Sequence, residues 1–175
     1  VLGSYGFIAD GDAGLRIADI TDAADAEIIH SVSSGDYTYR VTAFQNYALT
    51  APAAEVSFLD LSTPDTASVI CSPDWLNPGV TGARGSDVIW PYAYIAVSNS
   101  ASSADVGLHV VDISPLPSGV PEAIAYISTT DAEEVSVSGT YAYVYDRTDG
   151  VVILDLSPLP GADPKEIRTI PGTGT

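Results

Sequence analysis

The chain contains no methionine, one cysteine, one lysine and two histidines among its 175 residues. Each shortage excludes something. With Cys71 alone, an internal disulfide is impossible. Its place in the apolar run Ser68-Val69-Ile70-Cys71 reads as a buried, inert thiol. Six basic residues against 23 acidic ones leave a net charge of −17. Such a surface repels phosphate backbones and anionic lipid leaflets, so neither nucleic-acid binding nor membrane insertion is expected. No apolar run approaches a membrane-spanning length, and no secretory signal pattern is present. His30 and His109 are isolated, and no His-Cys-carboxylate cluster has zinc-like spacing. Phosphate-cradling loops and nucleophile elbows are absent as well. A start at Val1 without Met, scarce Lys, and abundant Ser, Thr, Ala and Asp favour a processed chain, secreted and cleaved.

Helical periodicity is also missing, while 46% hydrophobic content rules out a disordered chain. What is there is a phrase said four times. An aromatic strand leads through a turn to an apolar strand ending in Asp, an aliphatic residue and a hydroxyl. The endings are Asp19-Ile20-Thr21, Asp60-Leu61-Ser62, Asp112-Ile113-Ser114 and Asp155-Leu156-Ser157, spaced by 41, 52 and 43 residues. The aromatic strands alternate large and small residues: Tyr5-Gly-Phe7-Ile8, Tyr47-Ala-Leu49-Thr50, Tyr92-Ala-Tyr94-Ile95 and Tyr141-Ala-Tyr143-Val144. This period of two marks strands with one roomy face and one tightly packed face. The rings read as core, not as a sugar-stacking platform.

The strands after the turn are nearly continuous in apolar residues, as in Val151-Val152-Ile153-Leu154, which predicts burial on both faces. A more polar strand follows each Asp, for example Glu166-Ile167-Arg168-Thr169-Ile170, and suits a sheet edge. A fourth strand precedes three of the aromatic ones: Tyr39–Ala43, Ser86–Trp90 and Glu134–Val137. Units of about 40–45 residues holding four strands are the blades of a β-propeller. The prediction is an all-β chain, a single domain of about four blades. Each blade is a four-stranded antiparallel meander, over roughly 1–38, 39–85, 86–132 and 133–175.

The stretch Phe7-Ile-Ala-Asp-Gly-Asp-Ala-Gly-Leu-Arg-Ile-Ala-Asp-Ile-Thr21 resembles the LVIVD-repeat family of bacterial and archaeal β-propellers. Ser138-Gly-Thr-Tyr-Ala-Tyr-Val144 with Val151-Val-Ile-Leu-Asp-Leu-Ser157 resembles it equally. The likeness covers nearly the whole chain and is weakest in the second repeat, where Pro52-Ala53-Ala54-Glu55 replaces a glycine-containing turn. The resemblance implies the fold and a secreted or surface location. It supplies no catalytic motif.

Asp19, Asp60, Asp112 and Asp155 are read as structural, each accepting hydrogen bonds from turn amides. Four copies argue against one catalytic centre. Asp10-Gly11-Asp12-Ala13-Gly14 matches the opening of a calcium loop, but Leu15 and Thr21 stand where an EF-hand needs Gly and Glu. A hairpin turn explains the glycines without an ion. Calcium stays the alternative, with Asp10, Asp12, Asp146 and Asp149 as its ligands, and no other cofactor is expected. Glu133 and Glu134 point to opposite faces of a strand and cannot act as an acid/base pair.

In a meander, alternate connections emerge at one end. The two longest, Ser72 to Gly85 and Ser98 to Gly107, therefore share a face, and long loops on rigid scaffolds carry function. Trp75, Asn77, Arg84, Asn99 and Asp105 are the binding candidates there, Trp and Arg being the hot-spot types. The proline-rich loops of the opposite face read as structural stiffeners. Blade one begins with only Val1-Leu2 before its aromatic strand, so its innermost strand is almost wholly missing. The chain is a fragment of a larger propeller, a small ring with a three-stranded first blade, or a subunit completed by a partner. The expected function is non-catalytic: an extracellular structural or assembly propeller, a subunit of a surface layer or filament. Its expected partner is itself or another extracellular protein. The alternative is a monomeric module that binds protein or glycan through the face bearing residues 72–85 and 98–107.

Overall fold

Alternating large and small residues form strands because every second side chain shares one face of the pleat. The computed structural model describes residues 2–33, 37–52, 56–73, 82–98 and 106–172. Within them the first blade holds β1 (Tyr5–Ala9), β2 (Leu15–Asp19) and β3 (Glu27–Val32). The second holds β4 (Thr38–Phe44), β5 (Tyr47–Pro52), β6 (Ser57–Asp60) and β7 (Ser68–Cys71). The third holds β8 (Ala83–Ile89), β9 (Tyr92–Val97), β10 (Gly107–Asp112) and β11 (Glu122–Ser128). The fourth holds β12 (Ala132–Ser138), β13 (Tyr141–Asp146), β14 (Gly150–Asp155) and β15 (Lys165–Ile170). One 3₁₀ turn, Pro64–Thr66, interrupts the β structure. Every sheet pairs its strands antiparallel in chain order, three strands in the first and four in each of the others. These are the blades of a β-propeller, the first one incomplete. The chain falls into two compact units, Val1–Pro73 with the first two blades and Asp74–Thr175 with the last two.

The incomplete blade keeps the turn of its missing strand. Leu2 and Tyr5 exchange backbone hydrogen bonds of 3.0 and 3.2 Å. Phe44↔Tyr47, Ile89↔Tyr92 and Ser138↔Tyr141 close the same two-residue hairpin in the other blades. Gly3, Gln45 and Gly139 open three of these turns with φ of +59°, +48° and +60°. Such left-handed conformations match the twist of the flanking strands. In the third blade the cis pair Trp90-Pro91 fills the turn, so Trp90 is a turn residue and not the strand end that the apolar run suggests.

Two bulges recur. On the inner strands the register shifts at Tyr39, Arg84 and Glu133. It shifts on the outer strands at Ile29, Ile70, Ile124 and Ile167. An extra residue flips the alternation. For that reason the inner strands start at Thr38, Ala83 and Ala132, up to three residues earlier than the sequence pattern indicates. Arg84 accordingly lies in β8 and not in a loop.

Within each unit the blades pack by one rule. The roomy face of blade one, with Tyr5, Phe7, Leu15, Ile17 and Val32, lies against Ala48, Leu59 and Val41 of blade two. The roomy face of blade three, with Tyr94, Leu108 and Val110, lies against Ala142, Val144, Val152 and Leu154 of blade four. Small side chains on the receiving face let the two sheets close on the rings. The inner strands come closest at Gly85, where an added Cβ would sit 2.5 Å from the Glu134 Cα. Beside it, Asp87 bridges the two blades by accepting a 2.7 Å hydrogen bond from the Val137 amide.

Gly85→Ala is therefore expected to destabilise the fold by about 1–3 kcal/mol, since backbone and not a pliable side chain must yield. Gly161→Ala, whose nearest contact would be an ordinary 3.6 Å, serves as the control. Equal denaturation midpoints for the two variants would contradict this packing.

Candidate functional site

The repeated Asp does the same thing four times. Asp19 accepts a hydrogen bond from the Thr21 amide at 2.8 Å, and Asp60 from Ser62 at 2.8 Å. Asp112 accepts from Ser114 at 2.9 Å and Asp155 from Ser157 at 2.9 Å. The residue between them ties back to the hairpin of its own blade. Ile20, Leu61, Ile113 and Leu156 donate to the carbonyls of Ser4, Asn46, Pro91 and Thr140 at 2.7–2.9 Å. The motif thus staples two adjacent connections. The hydroxyl and amide of Thr21 hold the Asp19 carboxyl below its ordinary value, and those of Ser62 act likewise on Asp60. The Ser157 amide, its hydroxyl and the Lys165 charge do so for Asp155.

The calcium candidates are engaged differently. Asp10 pairs with Arg16. Asp146 is buried, and each of its oxygens accepts two amides: Thr130 and Asp131 on one, Thr148 and Asp149 on the other, at 2.7–2.9 Å. Burial pushes its carboxyl up, but the Asp131, Asp149 and Thr148 amides outweigh that, and the net direction is down. Asp149 accepts a 2.6 Å bond from the Thr130 hydroxyl. Arg147 pairs with Glu133 and lies 3.5 Å from Asp131. Among the described residues no group of three or more His, Cys, Asp or Glu is placed to hold a metal ion.

Of the loop candidates, Trp75, Asn77, Asn99 and Asp105 lie outside the described residues. Arg84 donates to the Ser98 hydroxyl at 3.2 Å. His30 bonds the Ala67 carbonyl at 2.9 Å, and the buried His109 ring rests 4.9 Å from that of Tyr126. Burial raises the thiol of half-buried Cys71.

Two surfaces in the second unit stand apart. The first is a cleft of about 300 Å³ between blades three and four, lined by Ile89, Trp90, Tyr92, Tyr94, Thr140 and Leu159 among others. It opens at the hairpin turns and the proline loops, the end of the sheets opposite to Val97 and Gly107. Burial, with the Tyr92 and Asp87 charges, pushes the Tyr94 hydroxyl up to about 12. The second surface is the roomy face of blade four. Tyr141, Tyr143 and Tyr145 follow one another along β13 at 43, 41 and 49% exposure, and Ile170 stands beside them. Their counterpart Tyr94 in blade three is 3% exposed, because blade four lies over it. The expectation that the repeated tyrosines are core thus fails in blade four. Its alternation is the same, but among the described residues of the second unit no sheet covers that face.

A protein-family model described as LVIVD repeat matches residues 1–34, 88–120 and 130–160, more than half of the chain. The region it leaves out includes the second repeat. No curated protein matches the chain. Among solved structures, the computationally designed Ika8 protein superposes with a TM-score of 0.70 at 10% identity, over 97% of this chain and 47% of its own. A putative 6-phosphogluconolactonase from Bacteroides uniformis gives 0.69 at 16% identity, over 95% of this chain and 53% of its own. A chain of a nidogen/laminin complex gives 0.64 at 13%, over 98% and 60%. The chain spans about half the length of the first two. At these identities the likeness is one of fold.

The depressed carboxyls carry a pH signature. Their stabilisation is complete above the unfolded value of 3.8 and is lost as pH falls through the lower folded value. Asp155→Ala should lower the melting temperature at pH 7, with the gap to the parent closing on acidification. A gap independent of pH would refute the assignment. Asp146→Ala, which strands four amides, should cost about 1–3 kcal/mol, measured by denaturant unfolding.

Proposed function

The chain belongs to the LVIVD-repeat family, and from that footing we propose that it is a non-catalytic structural propeller working outside the cell, a subunit of a surface layer or filament. The observation that carries this reading is the uncovered tyrosine face of blade four. Three neighbouring tyrosines in rigid strand geometry offer large contact area at little entropic cost, and tyrosine is a preferred hot-spot residue. Contiguous apolar exposure of this kind marks interaction sites. The absence of catalysis is supported by the state of the carboxylates. The repeated Asp residues and Asp146 are committed to local amides, which leaves them poor acids, bases or nucleophiles. An extracellular setting is supported by the net charge of −17 and the near-absence of Lys. Among the described residues no helix is long and apolar enough to cross a membrane.

A second reading rests on the Trp90 cleft. Its lining mixes aromatic faces with the Thr140 and Ser157 hydroxyls and carries no charged side chain, which suits an uncharged sugar. In this reading the chain is a glycan-binding module, working through the proline-loop end and not through the long-loop face.

Tyrosine nitration separates the two. On the native surface of the source cells, Tyr141, Tyr143 and Tyr145 should be protected relative to the isolated chain at high dilution. Tyr37 and Tyr39, each 45% exposed, should react in both states. Equal nitration of all five would sink the assembly reading. The glycan reading expects saturable binding of a neutral oligosaccharide that Trp90→Ala abolishes, and binding unaffected by that change would dismiss it.

A further inference from the structure

We infer that the cleft between blades three and four takes the acetamido group of an N-acetylated sugar. The Tyr94 hydroxyl donates to its carbonyl, and the Ser157 hydroxyl accepts from its N–H. The inference rests on the glycan reading above and names the sugar. The argument starts from a polar group without a partner. Tyr94 is 3% exposed, and among the described residues its hydroxyl makes no hydrogen bond. Buried hydroxyls are ordinarily satisfied, so an unpaired one asks for an explanation. Asp87 stands opposite Tyr94 on β8, but its oxygens are engaged by the Val88 and Val137 amides. Among the described residues only the Thr129 hydroxyl is both sealed from solvent and unpartnered. The Tyr94 hydroxyl is therefore open, and it opens onto the cleft that Tyr94 lines. Blade four packs against the same side chain and holds it in place.

Ser157, on the connection after β14, supplies the opposite polarity. Its hydroxyl gives its proton to the Asp155 carboxylate, beside the bond from its own amide. What remains to the Ser157 oxygen is acceptor capacity. The cleft thus sets a donor on one blade against an acceptor on the other, with Leu156 and Leu159 in the same lining. A secondary amide is the neutral group that carries one acceptor and one donor in a single plane. The acetamido methyl adds an apolar tip for the leucines, which a plain sugar hydroxyl lacks.

The rim favours a sugar over a peptide as the bearer of that amide. Trp90 is 43% exposed beside half-buried Tyr92, and an open aromatic face matches the apolar C–H face of a pyranose ring. The exposed Thr140 hydroxyl is at hand for the ring hydroxyls. A volume of about 300 Å³ lies at the small end for ligand pockets, which suits one sugar residue and not a length of chain. The lining carries no charged side chain, while the chain as a whole carries −17. Anionic sugars are repelled by that field, and a neutral one is not.

Isothermal titration calorimetry of the purified 175-residue chain with two matched trisaccharides tests this. Triacetylchitotriose and cellotriose share one backbone and linkage and differ only where acetamido groups replace hydroxyls. The acetylated sugar should bind at least about tenfold more tightly. Tyr94→Phe keeps the ring that blade four packs on and removes the hydroxyl. It should weaken the acetylated sugar about tenfold and leave cellotriose unchanged. It should also melt as the parent does, because no hydrogen bond of the fold is lost. Tyr143→Phe, on the other face of blade four, should alter neither affinity. Equal affinity for the two sugars overturns the inference and leaves the glycan reading in place. So does a preference that Tyr94→Phe preserves. Binding of neither trisaccharide overturns both. A peptide bearing N-acetyllysine that binds where neither sugar does overturns the sugar and assigns the amide site to polypeptide.

Discussion

Aromatic rings laid on a face of alanines form the contact on which the remaining features depend. A blade is a thin, twisted sheet with two faces, and it is stable only when both are buried or solvated by design. The large-small alternation of the aromatic strand makes the two faces unlike. One projects rings from Tyr92 and Tyr94, and the other is kept low by Ala142. Unlike faces stack in one direction only. From that asymmetry follow the close approach at Gly85, the bridge from Asp87 to Val137, and the cleft that remains where the two sheets splay apart near Trp90.

The repeated Asp serves a different need. A sheet stacked by its faces leaves its connections to fend for themselves, and each blade has to close a hairpin beside a second turn. A carboxylate that takes the amide two residues on, with the intervening residue bonded to the hairpin carbonyl, joins both turns locally. The arrangement uses negative charge where few cations are available. Six basic residues cannot neutralise 23 acidic ones, and backbone amides do part of that work, most completely around Asp146.

Much of this architecture is legible in the sequence, and what is not has a physical reason. The alternation identifies the strands and which residues share a face, because pleat geometry alone decides that. It cannot tell whether a sheet lies over the face. Tyr94 and Tyr143 are indistinguishable in pattern, yet one is buried and the other exposed. Bulges at Arg84 and Ile124 escape notice because an extra residue leaves no compositional trace. The cleft gathers Trp90, Thr140 and Leu159 from three separate connections, a convergence that no linear motif records. The loop candidates Trp75 and Asn99 follow from length and residue type alone, which mark a place for function without giving it a geometry.

The bulge carried by every outer strand, at Ile29, Ile70, Ile124 and Ile167, bears on what the sheet edges can pair with. A straight outer strand is a template for another strand, and rows of them would let chains fuse sideways into sheets without limit. A kink of one residue in each rim spoils that register. Lateral fusion is thereby discouraged at each of the four blades, whatever else the acidic surface meets.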